Sequence, residues 1–89
     1  MSSYLGLDPT AVRALANQMS TTGGEIQHMA AQLTSMLANT PWTGPDHDRF
    51  ASEWQSTHLT QLQAVVNALA EAAHAANTNA MQQEQASNS

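Results

Sequence analysis

The chain has 89 residues, no cysteine and no lysine, and Arg13 and Arg49 are its only cations against seven carboxylates, for a formal net charge of −5. That length allows one domain at most and buries little surface on its own. The missing cysteines exclude a disulfide framework and a thiolate metal site, and the negative balance disfavours phosphate backbones and anionic membranes as ligands. The segment Met1-Ser2-Ser3-Tyr4-Leu5-Gly6-Leu7 lacks the basic start and apolar run of a secretory signal peptide. No stretch approaches the roughly eighteen consecutive apolar residues of a membrane span. By these rules alone the protein is soluble and cytosolic.

Asp8-Pro9 opens the first predicted element, a carboxylate suited to the N-cap followed by proline at the first helical position. From there Val12, Leu15, Met19, Thr22, Ile26, Met29, Leu33, Met36 and Thr40 recur in alternating steps of three and four. This is an a/d seam of about four heptads and reads as coiled-coil-like packing along a helix over about 9–40. Gly23-Gly24 falls in mid-rod and costs about 1 kcal/mol per residue against alanine. The seam keeps its phase across the pair, which predicts one continuous helix, with either a bend or a close approach of a second helix at the glycines.

Pro41-Trp42-Thr43-Gly44-Pro45 lies at the midpoint and forms the predicted turn, 41–45. Pro41 pushes Thr40 out of the helical region, and Pro45 has the φ of a helix start. Gly44 supplies backbone freedom and removes bulk beside the indole. A large aromatic in a rigid turn either pins the hairpin or is presented to a partner.

Thr43-Gly44-Pro45-Asp46 fits a capping box with Thr43 as N-cap. It opens a second helix over about 45–77, with Asp46 and Asp48 favourably placed against the helix dipole. Phe50 and Trp54 come first, then Leu59, Leu62, Val66, Leu69, Ala73 and Ala76 at helical spacing, widened by Val65 and Ala72. A stripe of that width suits a helix touching two neighbours. Residues 78–89 hold one large apolar side chain, Met81, and read as a frayed end and flexible tail.

Two amphipathic helices joined by so short a turn make an antiparallel hairpin, an all-α fold. One hairpin leaves part of each stripe uncovered, so the economical assembly is a dimer of hairpins, a four-helix bundle. Its hairpin and dimer contacts would come from Val12, Leu15, Met19, Ile26, Met29, Leu33, Met36, Phe50, Trp54, Leu62, Val65, Val66 and Leu69. His28, His47, His58 and His74 show no three- or four-residue pair spacing that would aim two rings at one ion. No nucleophile–base set or phosphate loop is present, so the sequence predicts neither enzyme, metal nor cofactor.

Two long helices, Trp42-Thr43-Gly44 at the centre and Phe50 eight positions after the tryptophan resemble the WXG-type proteins, related to the early secreted antigenic target. The resemblance covers residues 8 to about 77. It implies a helical hairpin that forms a homodimer, or a heterodimer with a sister WXG-type protein. It further implies export of the folded dimer from the cytoplasm by a type VII secretion system and its ATPase, with no cleaved signal peptide. Trp42 and Gly44 would form the turn element that the machinery reads. Members that carry the export signal have Tyr-x-x-x-Asp/Glu after the second helix. Here the single tyrosine is Tyr4 and the tail has none, which leaves room for a second reading: a non-secreted chaperone or adaptor for a larger effector toxin.

Overall fold

The structure, a computed structural model, describes residues 7–88. Apart from Leu7, Asp8 and the central turn, the described residues are helical: α1 (Pro9–Asn39), α2 (Pro45–Glu53), a π-helical turn (Trp54–His58) and α3 (Leu59–Asn88). α1 and the α2–α3 rod lie side by side as a hairpin measuring 65 × 17 × 14 Å. Their antiparallel sense is visible in three cross-contacts, Arg13 with Glu84, Gly23 with Leu69, and Thr34 with Trp54. Tyr4 and Ser89 lie outside the described residues.

α1 starts where local chemistry directs it. The Asp8 carboxylate accepts from the backbone N–H of Thr10 at 3.0 Å and of Ala11 at 3.3 Å, with Pro9 in the first turn. The helix runs unbroken through Gly23-Gly24 and ends at Asn39. There Thr40, extended ahead of Pro41, closes the last turn by donating from both N–H and Oγ1 to the Met36 carbonyl. The second helical rod starts differently from the expected capping box. Gly44, at φ 124°, is the N-cap, and no side chain caps that end. Thr43 is one residue too early for the role, because Pro45 occupies the first helical position and Gly44 carries the turn. Asp46 and Asp48 do sit in the first turn, where the exposed N–H groups favour negative charge.

The seam that closes the hairpin differs from the expected one. Val12, Met19 and Ile26 are half-buried as expected, but the column completing the inner face is Ala16, Gly23 and Ala30. Ala16 is fully buried. The alternate column of large residues, Leu15, Met29, Leu33 and Met36, is turned outward and exposed by 51–61%. A 3–4 pattern fits either choice of partner column, and small residues won because they let two helix backbones approach closely. At Gly23 a Cβ would stand 3.8 Å from Leu69 Cβ. Gly23 therefore faces α3 with room for a methyl group at ordinary contact distance, whereas Gly24 has no neighbour within 4 Å of its Cβ position.

The facing column runs Leu59, Leu62, Val66, Leu69, Ala73, Ala76, Ala80 and Gln83, an unbroken 3–4 alternation in which Val66, Ala73, Ala80 and Gln83 are buried. The helix was expected to stop near residue 77 and give way to a flexible tail; instead α3 continues to Asn88. Ala80 and Gln83 lie on the hairpin's inner face, and the half-exposed Arg13–Glu84 ion pair ties this end to the first turns of α1. Small and polar residues extend the seam there without the bulk that would have signalled it.

Phe50 and Trp54 stand out of phase with Leu59 and Leu62 on an ideal α-helix. The π-helical turn reconciles them. The Leu59 N–H bonds the Trp54 carbonyl, an i→i+5 step that accommodates one extra residue. Behind Trp54 the aromatic face and beyond Leu59 the aliphatic seam then share one side of the rod.

Candidate functional site

Two surfaces bring the expected residues together: the aromatic tip and the outer flank of α1. At the tip, the Trp42 N–H donates to the Thr40 carbonyl at 2.8 Å, a tight turn about Pro41 that aims the indole along the start of α2. The His47 ring meets it edge-on with centroids 5.2 Å apart, and Phe50 lies 6.2 Å away. Phe50 and Trp54 follow one helical turn apart, with rings 6.5 Å apart and almost parallel at 7°. His58 closes the row at 6.3 Å from Trp54. Trp54 is the fixed member. Its indole Nε1–H donates to Thr34 Oγ1 at 2.8 Å across the hairpin, and the Thr34 hydroxyl donates in turn to the Ala30 carbonyl at 2.8 Å.

Gly44 matters for its backbone alone. A Cβ there would find no atom within 4 Å, so the glycine is not making room for the indole. Its φ of 124° lies in the region that L side chains rarely adopt.

The expected interface residues fall into two sets. Val12, Met19, Ile26, Trp54, Leu62, Val66 and Leu69 are buried or half-buried within the hairpin. Leu15, Met29, Leu33, Met36, Phe50 and Val65 are exposed. The wide, half-covered stripe was expected on the second helix; the structure places most of the uncovered bulk on α1. Met29, Leu33 and Met36 there surround an open depression with Gln32 and Ser35. Between the helices, Ala30, Ala31, Thr34, Leu59, Leu62 and Val66 line a shallow groove of about 550 Å³.

Among the described residues no group of three His, Asp or Glu side chains is arranged to hold a metal ion, and no helix is long and apolar enough to cross a membrane. His47 Nδ1 lies 3.3 Å from Asp48 Oδ1. The Arg13 guanidinium is held above its ordinary range by its hydrogen bond to Glu84 and by that carboxylate's charge. Sequence reasoning missed the Trp54–Thr34 bond and the π-helical turn. The five-residue step from Trp54 to Leu59 was the available signal for the π-helical turn.

Comparison with protein-family models, with curated proteins and with solved structures gives no match.

Proposed function

We propose that the chain is a WXG-type secretion-pathway protein. In this reading the hairpin pairs with a second hairpin, its own copy or a sister, into a four-helix bundle. It leaves the cytoplasm folded, by a type VII route without a cleaved signal peptide, and acts by protein–protein association rather than catalysis.

The observation that carries this is the uncovered apolar flank of α1. Leu15, Met29, Leu33 and Met36 are each more than half exposed, while no large side chain among the described residues is fully buried. The chain exposes 6314 Å², and a compact monomer of 9.5 kDa would expose about 5,000 Å². An extended rod of 65 × 17 × 14 Å exposes more surface than a compact body of the same mass. Covering four such side chains at about 1.5–3 kcal/mol each is large against the stability of a small domain. Trp42 and Gly44 at the exposed tip occupy the place that the WXG resemblance assigns to the element read during export.

Residues 78–89 carry no Tyr-x-x-x-Asp/Glu pattern, which favours a second reading, a non-exported adaptor that covers the hairpin of a larger effector, or a co-substrate carried by a signal-bearing partner. The test has two parts. Sedimentation of the purified chain, alone and with the products of neighbouring genes, is expected to give a bundle of two hairpins. Leu33→Asp is expected to split it while the helicity of the hairpin persists. A stable monomer that ignores every candidate partner would remove the association reading. Secretion in the native host, with and without the type VII ATPase, separates exported substrate from resident adaptor.

A further inference from the structure

The aromatic tip carries a ridge that the hairpin does not consume. Trp42 and Phe50 leave 42% and 45% of their surface in solvent. His47 braces the Trp42 ring edge-on, and Trp54, itself tied to Thr34, supports Phe50 from below. Rings held in this way offer their free faces without being ordered on binding, which lowers the cost of association. Asp46, Asp48 and Glu53 flank them, against the single cation Arg49. The Asp46 and Asp48 side chains are 81% and 80% exposed. Arg49 reaches Asp46 at 3.1 Å, and His47 Nδ1 lies 3.3 Å from Asp48 Oδ1.

We infer that this ridge docks a partner segment presenting arginine or lysine among aliphatic side chains. Its cation lies over the Trp42 or Phe50 ring face, and Asp46 and Asp48 supply the counter-charge. The electron-rich faces of aromatic rings attract cations, and carboxylates beside them strengthen that preference and repel acidic segments. Charge also selects this occupant over the others. A second copy of the chain has no lysine and two arginines against seven carboxylates, so its net charge of −5 opposes docking at this acidic tip. A membrane bearing anionic lipid would meet Asp46, Asp48 and Glu53 at the tip against the one arginine, Arg49. The inference deepens the recognition role proposed for Trp42 and rests on that reading.

The test is calorimetric titration of the full chain at about 0.15 M salt, where long-range attraction between exposed charges is screened. The probes are a short helical peptide of Leu and Ala with Arg along one edge, and its counterpart with Glu in place of Arg. The Arg peptide is expected to bind with Kd on the order of tens of micromolar and the Glu peptide not to bind. Asp46→Asn with Asp48→Asn is expected to weaken binding about tenfold, as is Phe50→Leu in a chain whose circular dichroism is unchanged. Glu25→Gln with Glu71→Gln removes the same formal charge away from the tip and is expected to leave binding within about twofold.

Absence of Arg-peptide binding, equal binding of the two peptides, or equal loss in the two double variants would overturn the inference. So would Phe50-dependent binding to neutral phosphatidylcholine vesicles in place of the peptide. Export of Trp42→Phe is scored separately. Loss of export without peptide binding rejects the partner chemistry and keeps the recognition role. Peptide binding with unaffected export does the reverse.

Discussion

Gly23 and Gly24 offer a direct test of how the hairpin is packed. Both lie inside α1, and neither has a positive φ, so an L side chain meets no backbone strain at either position. At Gly24 an added Cβ enters open space. Gly24→Ala should therefore recover the propensity difference between the two residues, about 0.8–1.0 kcal/mol. At Gly23 the new methyl would stand 3.8 Å from Leu69 Cβ and 3.9 Å from Val66 Cγ1, ordinary contact distances. Gly23→Ala gains the same propensity and buries a methyl group besides, for a total of about 1–2 kcal/mol. In a domain this small each kcal/mol raises Tm by about 4–8 °C. Thermal and urea unfolding followed by circular dichroism, at several protein concentrations so that association is separated from folding, would measure both. A Gly23→Ala chain less stable than the parent would refute the spacing between α1 and α3. Gly24→Ala raising hairpin stability while weakening association would place a partner backbone against that face.

Other perturbations probe other joints of the structure. Trp54→Phe removes one cross-hairpin hydrogen bond and should cost about 0.5–1.5 kcal/mol from that bond. A double-mutant cycle with Thr34→Val should return a coupling of similar size, and zero coupling would mean that the bond is not made. Gly44→Ala should destabilise by about 1–3 kcal/mol through backbone strain alone, and equal stability in urea melts would contradict the observed φ. Arg13→Gln should reduce amide-exchange protection around residues 80–84 and leave the hairpin tip unchanged. The Arg13 guanidinium is shifted upward by Glu84, so its contribution stands at neutral pH and is lost as pH rises through the folded-state value. Added salt, rather than moderate alkali, is therefore the perturbation expected to loosen that end.

The features legible in the sequence are those fixed by local chemistry. Asp8-Pro9 announced its cap, Pro41 ended α1, and Pro45 began the second rod, because each acts within a few residues of itself. The inner seam was not legible in full. A count of 3–4 spacing rewards bulk, so it selected Leu15, Met29 and Met36 over Ala16, Gly23 and Ala30, although both columns satisfy the period. The end of α3 was hidden for the same reason, since Ala80 and Gln83 carry little hydrophobic signal but fit a close approach. At the tip, Trp42 and Gly44 were visible as a motif. The ring contacts that join Trp42 to His47, Phe50 and Trp54 depend on the turn about Pro41 and on the π-helical step, which no single residue announces.

The inner face joins the small residues Ala16, Gly23 and Ala30 to Val12, Met19 and Ile26 of α1 and to Leu62, Val66 and Leu69 of α3, whereas Leu15, Met29, Leu33 and Met36 stay in solvent. Under the proposed pairing, this second column is the one that a partner hairpin would cover. Substitutions on the two columns should therefore have opposite readouts. Ala16 is fully buried, and Ala16→Leu would force three extra heavy atoms between close-packed backbones, an overpacking that costs about 1–3 kcal/mol. Its effect should appear in unfolding of the hairpin itself. Leu33 is 52% exposed in the single hairpin, so Leu33→Ala should change hairpin stability by no more than about 0.5 kcal/mol. In a bundle the same truncation would remove a core side chain worth about 2–5 kcal/mol, a loss of at least about twentyfold in association. Sedimentation and melting of the two variants side by side would decide the matter. If Leu33→Ala melts early as a monomer, or leaves association untouched while Ala16→Leu abolishes it, then the small-residue column is the partner surface and the large one closes the hairpin.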